Sequence, residues 1–109
     1  MKLDFSTMEE TRIQKFRGGE KETIAKMFTD EHNRIMLGRL VPGASIGLHT
    51  HDAGSEIVYI LSGKGKALYD GKQETLKAGG CHYCPKGHSH SLINDSGEDL
   101  VFFAVIPQQ

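Results

Sequence analysis

The stretch Gly43 to Gly63, GASIGLHTHDAGSEIVYILSG, decides how this chain is read, because it places two histidines and a glutamate where they can close on one metal ion. His49 and His51 are two residues apart, and alternate side chains of a strand share a face, so both imidazoles project the same way. Asp52-Ala53-Gly54-Ser55 are turn formers that can reverse the chain. Glu56, at the head of the apolar run Ile57 to Leu61, then comes alongside the histidine pair. By the same parity Val58 and Ile60 share the face of Glu56 and make an apolar floor, while Tyr59 and Leu61 face the other way.

A second stretch, Gly79 to Asn94 (GGCHYCPKGHSHSLIN), supplies a fourth candidate ligand in His90. The two stretches spell G-x5-H-x-H-x4-E-x6-G and G-x5-P-x-G-x2-H-x3-N. At about 5% per residue type, such a set of fixed positions arises by chance on the order of once in 10^13 placements. On these residues, and over roughly Thr23 to Ile106, the chain resembles a single-domain cupin. The resemblance implies an all-β fold, a small antiparallel jelly-roll barrel or double-stranded β-helix. It also implies one divalent metal ion per chain, held by His49, His51, Glu56 and His90. Gly63, Gly79, Pro85 and Gly87 read as turn makers, and Asn94 as a side chain that ties down a neighbouring loop. His32, His82 and His88 are placed by no motif and read as ordinary structural or surface residues.

Outward from the two motifs, the expected strands are Thr23–Thr29, Arg34–Val41, Lys66–Tyr69, Lys72–Leu76, Gly80–Cys84, His90–Ile93 and Leu100–Ile106. They are separated by turn signals at Asp30–Asn33, Pro42-Gly43, Asp70-Gly71 and Asn94–Gly97. Strands recurring every 8 to 12 residues, with no sustained helical spacing of apolar residues, indicate a sandwich or barrel on their own. Residues 1–20 are mixed and polar and read as an N-terminal arm with a short strand around Arg12 to Phe16; residues 21–109 form the barrel domain. A short barrel must hide its strand edges. The expectation is a homodimer, for which Thr23–Thr29 is a candidate pairing strand, as in some cupins.

With 109 residues, 38% of them hydrophobic, the chain supports one domain and one core. A net charge of −1 gives no electrostatic reason to expect nucleic acid or an anionic membrane as a partner. The longest apolar run, Leu100 to Ile106, is too short to span a bilayer, and the start of the chain does not read as a signal peptide. A cytoplasmic location is therefore expected. The two cysteines, Cys81 and Cys84, are three apart on an expected strand, so their thiols face opposite ways and do not form a CxxC site. Both read as small buried hydrophobes.

Three neutral imidazoles and one carboxylate leave a divalent ion with a formal charge of +1, which suits an anionic or carbonyl-bearing small molecule. Iron or manganese is favoured, because a six-coordinate ion keeps two positions for water or substrate; nickel, cobalt and zinc are possible, although zinc with four protein ligands tends to a closed site. Tyr83 and Arg39 are candidate pocket residues, the latter as a carboxylate partner. Two functions follow. One is a metal-dependent enzyme of the dioxygenase, decarboxylase or isomerase type acting on a small oxygenated metabolite. The alternative is a non-catalytic metal- or ligand-binding or sensing module, since a fold does not fix a chemistry.

Overall fold

Ten strands and two 3₁₀ turns account for nearly all of the regular structure in the computed structural model, which describes residues 1–109. The strands are β1 Thr11–Gln14, β2 Glu22–Thr29, β3 Asn33–Leu40, β4 Ser45–Thr50, β5 Glu56–Ser62, β6 Lys64–Tyr69, β7 Lys72–Lys77, β8 Cys81–Cys84, β9 Ser89–Ile93 and β10 Leu100–Pro107. The 3₁₀ turns are Phe5–Thr7 and Phe16–Gly18. The protein is all-β, and every pairing is antiparallel. One sheet has the order β1-β2-β3-β10-β5-β8 and the other β4-β9-β6-β7. No helix is long and apolar enough to cross a membrane.

The local causes are those the sequence carries. Asp70 and Gly71 both take positive φ, 48° and 81°, and close a two-residue hairpin between Tyr69 and Lys72; that backbone matches the right-handed twist of the flanking strands. Alternation along β10 buries Leu100, Phe102 and Ala104, and β5 buries Val58 and Ile60. These join Met36, Leu40, Ile46 and Leu92 in a single cluster of 13 buried hydrophobic residues between the sheets. Burying a side chain the size of Leu or Phe contributes roughly 1.5–3 kcal/mol, so this cluster is the main favourable term in folding.

Two expectations change. The N-terminal segment bends away after Gln14, where Lys15 adopts φ 49° and the Phe16–Gly18 turn begins, so its strand is Thr11–Gln14 rather than Arg12 to Phe16. That strand pairs with Glu22–Ala25, so β2 lies inside the sheet and only Lys26–Thr29 lacks a neighbour on that side. A second copy could not add along the whole of Thr23–Thr29.

Candidate metal centre

The site is set up by an irregularity in β4. That strand pairs with β9 through Ile46↔Leu92 and His49↔His90, so two residues, Gly47 and Leu48, stand opposite the single residue Ser91. A bulge of this kind resets the alternation. Ile46 and His49 both turn inward, although an odd separation would send them to opposite faces, and Leu48 is left exposed. Ser91 Oγ donates to the Ile46 carbonyl at 2.6 Å and fixes the distortion.

The remaining ligand candidates are placed by neighbouring strands. Glu56 opens β5 and His90 lies in β9, both buried. The Pro85–His88 turn clips His51 from both sides: the Gly87 amide donates to its carbonyl at 2.5 Å, and the His51 amide donates to the His88 carbonyl at 3.0 Å. The proline and glycine of the second motif thus hold a residue of the first. Asn94 is fully buried; its amide donates to the Leu40 and Glu98 carbonyls at 2.8 and 2.7 Å, and its oxygen accepts from the Ser96 amide and hydroxyl. It ties down the loop before β10.

One donor atom from each of His49, His51, Glu56 and His90 lies within 4.8 Å of the others. The three Nε2 atoms are 2.9 to 3.2 Å apart, and Glu56 Oε1 is 3.0 Å from His51 Nε2 and 2.9 Å from His90 Nε2. His49 Nε2 and Glu56 Oε1 are more than 4.0 Å apart. Around an ion with bonds of ~2.1 Å, donors at right angles sit ~3.0 Å apart and opposite donors ~4.2 Å, whereas all six separations in a tetrahedron are ~3.4 Å. Five short separations and one long one fit four corners of an octahedron, with His49 and Glu56 opposite. Three ring nitrogens and a carboxylate at this spacing could hold a divalent ion.

The outer nitrogens agree. His49 Nδ1 is 2.7 Å from the Gly47 carbonyl, which can only accept, so Nδ1 carries the proton and Nε2 offers its lone pair inward. His90 Nδ1 is 2.9 Å from His82 Nε2, and His82 Nδ1 is 2.8 Å from Glu74 Oε1. The carboxylate accepts from His82 Nδ1–H; neutral His82 therefore accepts from His90 Nδ1–H, and His90 Nε2 also presents its lone pair to the cluster. Burial pushes the Glu56 carboxyl up, but the His51 and His90 imidazoles beside it outweigh burial and hold it at about 2. Burial holds the His49 imidazole below its usual range against the raising effect of the Gly47 carbonyl. Burial likewise lowers His82, with Glu74 opposing.

Several sequence expectations need correction here. Tyr83 points off the barrel and is exposed, because β8 alternates and its inward residues are His82 and Cys84. Arg39 also faces outward, where its guanidinium pairs with Glu10 at 2.7 Å and with Asp99 at 3.6 Å. Cys81 is exposed rather than buried, while Cys84 is buried beside the Glu56 strand and burial raises its thiol to about 11. The residue that sequence reasoning passed over is His82: no motif marks it, but pairing β8 on β5 sets it opposite Val58, on the inward face. Its parity with Cys84 was the available signal.

Two cavities meet at the centre. An inner one of about 20 Å³ is lined by His49, His51 and Glu56 with Phe16, Met36 and Ile46. An outer one of about 310 Å³ opens to solvent beside Asp30, Thr50 and Asp52. Arg17, Arg34, His51 and Ile106 line both and form the neck between them.

The family model for the cupin domain matches residues 36–106. A Thermotoga maritima protein named oxalate-binding protein is 42% identical over 101 residues, covering 87% of this chain and 84% of the relative. The crystal structure of a predicted oxalate decarboxylase from Thermotoga maritima superposes with a TM-score of 0.93 at 35% identity, over 100% of both chains. An RmlC-like cupin from Shewanella frigidimarina shares the fold, with a TM-score of 0.81 at 16% identity over 98% of this chain and 89% of its own.

Proposed function

This chain belongs to the cupin family, and from that premise we propose that it holds one divalent metal ion on His49, His51, Glu56 and His90 and takes a small oxygenated anion of the oxalate type directly onto that metal, as a metal-dependent enzyme. The observation that carries the reading is the donor spacing, five short separations and one long one. That pattern supports a six-coordinate ion such as manganese or iron, with two positions left for an oxygen ligand, over a closed tetrahedral zinc. When bound, the metal supplies Lewis acidity to a coordinated oxygen. The chain's own residues fix the site: Gly47 and His82 set the tautomers of His49 and His90, the Pro85–His88 turn holds His51, and Val58 and Ile60 keep water from beneath.

Oxalate is the ligand to test first, because the relatives named for it are similar over nearly the whole chain. Protein loaded with Mn(II) or Fe(II) is expected to bind one ion per chain, to change its metal spectrum on addition of oxalate, and to consume it. A decarboxylase would convert hydrogen oxalate to formate and carbon dioxide in equal amounts, whereas an oxidase-type reaction would take up dioxygen. Metallated protein whose spectrum ignores oxalate, other oxyacids and keto-sugars would overturn the proposal. A second reading, a module that binds the anion without turning it over, is favoured by the relative named oxalate-binding protein; spectral binding without product is its signature.

A further inference from the structure

The neck between the two cavities bears more positive charge than its surroundings neutralise. The chain has four arginines. Arg12 pairs with Glu22 at 2.9 Å, and Arg39 pairs with Glu10 and Asp99. Arg17 and Arg34 have no carboxylate within 4.0 Å, and these are the two that line the neck. Of the acids beside the outer cavity, Asp30 is already taken by the amides of His32 and Asn33, and Asp52 makes no ion pair with either arginine. The two arginines without an ion pair thus line both cavities, together with His51, the one member of the cluster that both cavities share.

Arg17 is placed there against backbone preference. It adopts φ 55° in the left-handed region, between Lys15 and Lys21 at 49° and 53°, and such residues persist only where the surroundings over-determine them. The surroundings do so through two glycines. A Cβ on Gly47 would meet the Arg17 carbonyl oxygen at 2.0 Å, and a Cβ on Gly19 would meet the Ser45 carbonyl oxygen at 2.0 Å. The arm lies in direct backbone contact with the bulged strand that carries His49, and the Ser45 amide donates to the Glu20 carbonyl at 2.9 Å. Arg34 comes from β3, where it faces Ile106 of β10 across the ladder.

We infer that Arg17 and Arg34 determine ligand specificity by gripping the outer carboxylate of a small dicarboxylate whose inner carboxylate lies on the metal. This rests on the functional reading above. The inner cavity, about 20 Å³, is on the order of a single water site, so a larger ligand on the cluster extends into the neck that Arg17 and Arg34 line. The planar guanidinium fork matches carboxylate geometry, and such charge-assisted pairs are the strong ones. A dianion satisfies both the metal and the arginines; a monocarboxylate satisfies one.

The test is calorimetric titration of Mn(II)-loaded protein with oxalate and with acetate, using the wild type, Arg17→Gln, Arg34→Gln and, as a control, Arg12→Gln. Mn(II) affinity is read separately by electron paramagnetic resonance. Each neck variant is expected to bind oxalate at least about tenfold more weakly, with acetate and Mn(II) affinities nearly unchanged and Arg12→Gln like the wild type. Arg17→Lys and Arg34→Lys, which keep the charge but lose the fork, are expected to fall in between and guard against loss of fold in a glutamine variant. Unchanged oxalate affinity in both neck variants, or equal weakening for acetate, overturns the arginine assignment alone. A wild-type protein that binds Mn(II) but not oxalate overturns the functional reading and this assignment together.

Discussion

His82 Nε2 lies 2.9 Å from His90 Nδ1, with both residues buried and the rings nearly parallel at 16°. The contact continues through His82 Nδ1 to Glu74 on β7, whose side chain reaches solvent. A ligand candidate is therefore oriented by a histidine, and that histidine by a carboxylate from the other sheet. Outer partners of this kind fix the tautomer and raise ligand basicity, and their loss typically costs 10–100-fold in metal affinity.

His82→Gln is accordingly expected to weaken Mn(II) binding by roughly 10-fold or more, and Glu74→Gln by less, since it removes the charge but leaves an acceptor. Competition against a chelator of known affinity measures both. Variants indistinguishable from the wild type would show that the chain of hydrogen bonds does not support the metal.

Removing one donor from the cluster should remove the ion. His51→Ala and Glu56→Ala are each expected to lose most bound metal, because one of four chelating groups is gone. His32→Ala is expected to keep it: His32 is exposed, contacts Glu31 and is not one of the clustered donors. Elemental analysis of the three purified proteins decides, and equal loss in all three would contradict the ligand assignment.

Acid should act on the metal-free protein in two windows. His49 and His82 are held below the usual imidazole value of 6.5 by burial, so the unfolded chain binds more protons below that pH and stability falls as pH drops through the imidazole range. Glu56 is held at about 2 against an ordinary 4.5, so its contribution is complete above 4.5 and is lost between 4.5 and about 2. Both effects have the same sign. Urea midpoints from pH 8 down to 3 should decline monotonically, starting near 6.5, and a flat profile between pH 7 and 5 would rule out the histidine contribution.

Asn94→Ala should destabilise the barrel without touching the cluster. It leaves the carbonyls of Leu40 and Glu98 without their donor and Ser96 without its acceptor. With buried groups left unpaired, the expected cost is about 3 kcal/mol, read as a lower denaturant midpoint at unchanged metal stoichiometry. A midpoint within experimental error of the wild type would mean that water replaces the side chain.

The sequence alone determined the all-β class, the bounds of eight of the ten strands to within a few residues, and the grouping of His49, His51, Glu56 and His90. These follow from local causes: alternation along a strand, turn residues that tolerate only certain φ and ψ, and a ligand pattern confined to two short stretches. What it left undecided depends on contacts between residues distant in the chain. The bulge that lets Ile46 and His49 both face inward exists only once β4 pairs with β9. His82 reaches His90 only because β8 adds to the edge of β5, and the same alternation turns Tyr83 outward. Arg39 and Arg34 sit on one strand with equal claims by charge, yet Arg39 meets Glu10 and Asp99 while Arg34 meets none. Arg17 reaches the neck because two glycines allow the arm to lie on β4. Charge and residue type are properties of the chain, but which charges are neutralised and which cavity they line is fixed by packing between elements far apart in sequence.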